Sequence, residues 1–256
     1  MWPFNTSRQA QTVLRVGRLR VERWDTVDGF LQLTQQWPLA PDHDGTITHL
    51  DAPLRAALQS MGARPASLML ESAWAPVMAL EVNMASAAHK AVRHQAALQI
   101  NHLYGHLSSG GGWQTELLYS VGEPIAMAFG ISDLLLSEIA AWADGASAKL
   151  TGIESAVGWW SERCAKRAGS PASWWLGIQE QDRCLLLRCK RRRVLGQHPG
   201  LPADLEAEAW TLAVKAEAFR QGLSKNPLDA LWVGRWGKDG RSNMVDHALT
   251  FVGVTA

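Results

Sequence analysis

The sequence predicts an α/β protein of two lobes, each built on a strand–strand–strand–helix–strand (βββαβ) unit, with mixed sheets flanked by helices. Three observations predict it. Val13 to Leu33 breaks into strand-length runs parted by glycine turns, and an amphipathic helix and a further strand follow. The same order returns from Trp174 onward. Between the two units lie strand and helix patterns that belong to neither. The division expected is residues 1–150 for a first lobe with inserted helices and strands, and 151–256 for a second lobe.

In chain order, "TVLRV" turns at Gly17-Arg18 into "LRVERW", and "GFLQL" follows Asp28-Gly29. A loop with Pro38, Pro41 and Gly45 leads to Asp51-Ala52-Pro53, an N-cap with proline in the first turn. The helix "APLRAALQSM" sets Leu54, Ala57, Leu58 and Met61 on one stripe and stops at Gly62. "SLMLES" reads as the closing strand. Then come a strand at "PVMALEV", a long helix from about Ala85 to Leu103, and strands near "TELLYS" and "IAMAF". Helices near Ser132–Ala143 and Glu154–Ala168 complete the middle, and Gly110–Gly112 is a connector. In the second unit "SWWLGI", "RCLLLRC" and "RVLGQ" are strands. Residues Pro202 to Gly222 form a helix with Leu205, Ala209, Leu212, Ala216 and Phe219 on one side. "ALWVGRW" closes the unit, and after a Gly237–Gly240 turn "HALTFVGV" adds a last strand.

The formal charge of +1 argues against whole-surface attraction to nucleic acid or acidic lipid. Thirteen tryptophans supply large buried anchors or sticky exposed ones. Cys164, Cys184 and Cys189 form no CxxC pair; the last two, on one strand, point to opposite faces and cannot bridge. Free thiols of a reducing compartment are expected. The start, "MWPFNTSRQAQ", lacks the features of a secretory signal, and no window reaches the ~20 apolar residues of a membrane helix. A cytoplasmic protein is the expectation.

Further stretches carry a family resemblance: "GARPASLMLESAWAPVMALEV" after the first helix, and "KLTGIESAVGWWSERC" ahead of "WWLGIQEQDRCLLL". With the tandem meander, helix and strand, they make the chain similar to the actin-like (ribonuclease H-like) ATPase superfamily. Within it the chain resembles the PilM and GspL branch, from roughly Val13 to Val254. These are actin-fold proteins at the cytoplasmic side of type IV pilus and type II secretion platforms. The resemblance implies a groove on the first lobe for an extended segment of an inner-membrane partner. Candidate anchors are Trp24, Trp37 and Trp74, each with core packing as the simpler reading. Trp2 and Phe4 are a further candidate hook.

Nucleotide-binding members place an Asp-x-Gly-Thr-type turn between the first two strands. Here Gly17 matches a turn glycine, but Arg15 and Val16 stand where acid is wanted, and Arg18 and Leu19 replace small hydroxyl residues. The second phosphate turn corresponds to Gln179-Glu180-Gln181-Asp182, which lacks glycine and adds two negative charges. At the first turn an arginine can pair with phosphate, yet no carboxylate remains nearby to place a metal. The positions Gly17, Arg18, Gln179 and Glu180 are therefore read as a degenerate site without cofactor, metal or catalytic residue.

Other stretches yield no site. "DHDGT", Asp42 to Thr46, follows the third strand rather than the first and has no closing glutamate for a calcium loop. His102 and His106 share a helix face as zinc ligands do, but Gly105 is expected to end that helix; His89 and His94 face apart. "SSGGGW" lacks the Gly-Lys-Ser/Thr of a phosphate loop, and no GxSxG elbow occurs. Glu206 and Glu208 read as solvated surface. The run Lys190, Arg191, Arg192, Arg193 reads as a hairpin turn, with nucleic-acid binding or an orienting contact with anionic lipid as alternatives.

The expectation is a non-catalytic adaptor at the inner face of a bacterial inner membrane, binding the cytoplasmic tail or domain of a membrane assembly protein and no nucleic acid. The rivals are a divergent actin-like ATPase holding ATP between the lobes and a nucleic-acid-binding protein using Lys190–Arg193.

Overall fold

Three antiparallel strands open the chain: β1 (Thr12–Val16), β2 (Arg20–Val27) and β3 (Phe30–Pro38). The computed structural model describes residues 12–27, 30–40, 46–83, 88–108, 111–118, 124–167, 174–190, 193–204, 207–220, 228–233 and 250–254. All five residues of β1 are buried, as a central strand covered on both faces requires.

Helix α1 (Thr48–Met61) begins a turn earlier than the Asp51 cap predicts, with Ile47 at its N-cap, so Pro53 lies inside it. Proline removes one backbone donor there. The first turn is held by tighter bonds, His49 N–H to Thr46 O at 3.2 Å and Leu50 N–H to Ile47 O at 2.9 Å. Asp51 instead pairs with Arg55 at 2.7 Å. The predicted stripe Leu54, Ala57, Leu58, Met61 is buried together with Leu50, and Gly62 ends the helix at φ 57°. β4 (Pro65–Leu70) then lies parallel to β1.

β5 (Val77–Glu81), α2 (His89–Tyr104), β6 (Trp113–Leu118) and β7 (Ile125–Ser132) form a separate layer, an antiparallel sheet of order β5-β7-β6. Val92, Ala96 and Ile100 of α2 pack on Leu80, Leu117, Ala126 and Ala128. Gly130 lets them meet, since a Cβ there would stand 3.0 Å from Ile100. α3 (Asp133–Gly145) follows, its N-cap Ser132 accepting from Leu135 N–H at 3.1 Å.

The sequence reading missed β8 (Lys149–Ser155), which returns to the first sheet parallel to β4. That sheet has the order β3-β2-β1-β4-β8. α4 (Ala156–Arg167) leads to the second sheet: β9 (Trp174–Gln179), β10 (Arg183–Lys190), β11 (Arg193–Pro202), α5 (Ala207–Arg220), β12 (Leu228–Val233) and β13 (Thr250–Val254). Its order, β11-β10-β9-β12-β13, repeats the first up to the fifth strand: β12 is parallel to β9 as β4 is to β1. The fifth strands differ, β8 parallel and β13 antiparallel to their neighbours. β11 runs through Pro202, where the helix was expected to begin, and residues 234–249, with the predicted glycine turn, lie outside the described residues.

α5 packs by a stripe other than the one that its leucine and phenylalanine spacing draws out. It turns Trp210, Val214 and Ala218 onto Trp175, Cys184 and Leu186, and leaves Ala209, Leu212, Ala216 and Phe219 exposed. Both stripes are apolar at helical spacing, and the one carrying tryptophan buries the larger area.

The lobes share a core. One buried cluster joins Val13, Trp24 and Met69 of the first sheet, Val77 and Met127 of the middle layer, and Trp159, Trp160 and Cys164 of α4. It continues into Trp174, Leu176, Ile178, Leu185, Leu187 and Cys189 of the second sheet.

Candidate functional site: two turns joined across the interlobe gap

The turn between β1 and β2 and the turn between β9 and β10 are the two phosphate-turn positions of the sequence reading. The fold brings them into direct contact. Gln181, at the tip of the second turn, inserts its carboxamide into the first. Its Oε1 accepts from the backbone N–H groups of Leu19 and Arg20, both at 2.9 Å, and its Nε2 donates to Arg20 O at 3.0 Å. The two amides therefore meet as backbone meets backbone in a sheet. Gly17 is required for this approach: a Cβ there would lie 2.2 Å from Gln181 Cδ and 2.5 Å from Glu71 Oε2.

Beneath the turns lies a buried charged cluster. Arg15, at the end of a central strand, pairs through Nη2 with Glu71 Oε1 at 2.5 Å and donates to Gln179 O at 2.7 Å. Glu22 stands opposite Arg15 in the β1–β2 register, 3.7 Å from it, and also engages Arg20 at 2.7 Å and Trp24 Nε1 at 3.0 Å. Glu71, just past β4, accepts Gln181 N–H at 3.1 Å. Ser72 gives its backbone N–H to Glu180 Oε1 at 2.7 Å and its hydroxyl to Glu180 Oε2. Arg18 reaches Asp182 at 3.4 Å at the rim. Trp74 Nε1 donates to Gly17 O at 2.9 Å and so holds the first turn from behind.

Burial opposes every charge here, and the neighbours decide the sign. Burial disfavours the Arg15 cation, but Glu71, Glu22 and Glu180 outweigh it and strengthen its hold on the proton. Burial pushes Glu22 up, yet Arg15 and Arg20 bring its carboxyl below the usual range. Glu71 goes the other way. Burial outweighs the Arg15 attraction, Glu180 adds a like charge, and its carboxyl rises to about 8. Glu180 is also raised by burial, against the Ser72 hydrogen bonds. The cluster thus tends to retain a proton between Glu71 and Glu180.

Carboxylate oxygens of Glu71, Glu180 and Asp182 lie within 4.8 Å of one another, the separation a cation needs. Each is already engaged: Glu71 by Arg15 and Gln181, Glu180 by Ser72, Asp182 by Arg18 and Arg183. A nucleotide triphosphate with its metal fits these residues poorly. Two N–H groups of the first turn are directed at Gln181, and the second turn presents carboxylates rather than donors to the same space.

Trp24 and Trp74 are 3% and 2% exposed and present no surface to a partner, whereas Trp37 is half-buried against the core between α1 and the first sheet. Cys164, Cys184 and Cys189 are buried thiols joined in no disulfide, with Cys184 in one core and Cys189 in another on the opposite face of β10. His89, His94, His102 and His106 are exposed. Lys190 pairs with Arg193 across a hairpin, as the strand reading of the basic run expects, while Arg191 and Arg192 lie outside the described residues. So do Trp2, Phe4, Asp42, Asp44, Gly45 and Glu206. The reading missed Arg15, Glu22, Glu71, Ser72 and Gln181 as one cluster. The available signal was an arginine between apolar residues of a central strand, which demands buried acid nearby.

Solved structures share this architecture. A Bacteroides thetaiotaomicron protein with actin-like ATPase fold matches at TM-score 0.50 and 11% identity, over 91% of this chain and 85% of that one. A chain of a PilM–PilN type IV pilus biogenesis complex matches at TM-score 0.50 and 10% identity, over 82% of this chain and 66% of that one. The cytoplasmic domain of EpsL, an inner membrane component of the type II secretion system of Vibrio cholerae, matches at TM-score 0.49 and 12% identity, over 91% and 86%. No family model and no curated protein matches the sequence. The chain has a two-lobed actin-like ATPase fold. It is the fold that the resemblance to PilM and GspL implied.

Proposed function

We propose that this protein is a non-catalytic adaptor of a type IV pilus or type II secretion-like inner-membrane platform, binding a cytoplasmic segment of a membrane partner. The observation that carries the reading is the Gln181 carboxamide seated on the Leu19 and Arg20 N–H groups. Phosphate would have to displace it and then lie beside Glu71 and Glu180, where like charge and burial oppose it. With the gap filled from within, the outer surface remains for function. The fold shared with a PilM–PilN chain favours a membrane-protein partner. Attachment to the membrane would run through that partner; among the described residues no helix is long and apolar enough to cross a membrane.

An open depression on the first lobe offers a seat for such a segment. Ile47, Leu134 and Trp142 line it together with Asp51 and Glu138. A segment with basic residues flanking an apolar anchor suits it. Two titrations test the reading. Calorimetry with Mg-ATP is expected to show no binding tighter than about 1 mM; micromolar binding would favour the ATPase. Cytoplasmic segments of membrane proteins encoded nearby are expected to bind, with Asp51→Lys/Glu138→Lys weakening them about tenfold. Failure of every segment overturns the adaptor.

A further inference from the structure

The outward face of α5 has no partner within the described fold, although its residues are those of a packing surface. Leu212 is 66% exposed and Phe219 74% exposed, with the exposed Ala209 and Ala216 between and before them. The spacing is three, four, three, that of the apolar seam by which one helix packs along another. The opposite stripe, Trp210, Val214 and Ala218, already attaches the helix to its own sheet.

We propose that this seam pairs with the same seam of a second copy, the two α5 helices running antiparallel about a two-fold axis. Its order of sizes is small, large, small, large. In an antiparallel pair centred between Leu212 and Ala216, Leu212 faces the other copy's small residue at 216, and Phe219 faces the one at 209. Every large side chain meets a small one, the arrangement close helix packing needs. A parallel pair would instead set Phe219 on Phe219 and Ala209 on Ala209, crowding one layer and leaving a void in another.

Charge selects the same direction. In the antiparallel pair Glu208 of each first turn lies beside the other copy's Arg220, which Glu217 of its own helix also engages, and the helix dipoles oppose. Two features keep the association weak. The 14-residue helix is only about 21 Å long, and its seam falls short of the roughly 800 Å² per partner of a standard interface. The two Lys215 side chains also flank the seam near the axis, like charge towards like.

Sedimentation equilibrium of the full chain between about 10 and about 500 µM tests this, in the range where a small interface dissociates. The mass is expected to rise from monomer towards dimer. Leu212→Glu and Phe219→Glu, each with an unchanged circular dichroism spectrum, are expected to weaken association at least about tenfold by placing charge in an apolar seam. For register, Leu212→Cys mixed with Ala216→Cys is expected to cross-link under mild oxidation more readily than Leu212→Cys alone. A chain that stays monomeric over the whole range overturns the proposal. So does a dimer indifferent to both glutamates, or one whose Leu212→Cys cross-links preferentially to itself.

Discussion

At the scale of single residues, Gln181 stands where a ligand's phosphate would be expected to meet the first turn. Its three hydrogen bonds span 161 or 162 residues of sequence. Gln181→Ala is expected to destabilise the protein by about 2 kcal/mol, from three bonds of ~0.5–1.5 kcal/mol each less what water restores; urea denaturation measures it. Glu71 gives a pH signature. Its folded-state carboxyl, near 8, lies above its unfolded value, so its stabilising contribution is full below about pH 4.5 and is lost as pH rises through 8. Glu22, Asp25 and Asp182 are depressed and act oppositely, their contributions being lost as pH falls. Subtracting the stability profile of Glu71→Gln from that of the parent removes those contributions. The difference should fall between about pH 4.5 and 8 and flatten above; a difference that does not change across that window would contradict the buried-proton account. The sequence showed where the two turns lie, because glycine and polar residues interrupt strand-length runs. It did not show that Gln181 crosses between them, since nothing local in "IQEQDR" distinguishes a side chain aimed at solvent from one aimed at the other lobe.

Elements were legible where one pattern dominated. α1 has a single apolar stripe, and that stripe is buried. α5 has two, and the eye follows Leu212 and Phe219 while the fold follows Trp210. Trp210→Ala should therefore cost about 3–5 kcal/mol in urea denaturation of dilute protein, and Leu212→Ala under about 0.5 kcal/mol. The reverse ranking would mean that the helix is turned the other way. β8 escaped for a different reason: "KLTGIES" has Thr151 and Gly152 at its centre, which read locally as turn. Pairing along β4 overrides that preference, with a register shift between Ala66 and Ser67.

For the whole molecule, the shared core matters more than the division into lobes. Val13, Trp24 and Met69 pack in one cluster with Leu176, Ile178 and Leu187, so separating the sheets would expose apolar surface from both. Thermal unfolding followed by tryptophan fluorescence and by far-ultraviolet circular dichroism is expected to give one coincident transition. Two resolved transitions would show that the halves melt independently. Repetition of the unit was readable because both copies keep the same strand order. The shared core was not, because the contacts that fuse the halves join residues far apart in sequence.

Every bond from Gln181 to the first turn begins and ends in one polypeptide. Their formation is a first-order event that needs no second molecule. On the adaptor reading the spacing between halves follows from folding rather than from metabolism, and anything assembled on this surface would meet the same template in a starved cell as in a fed one.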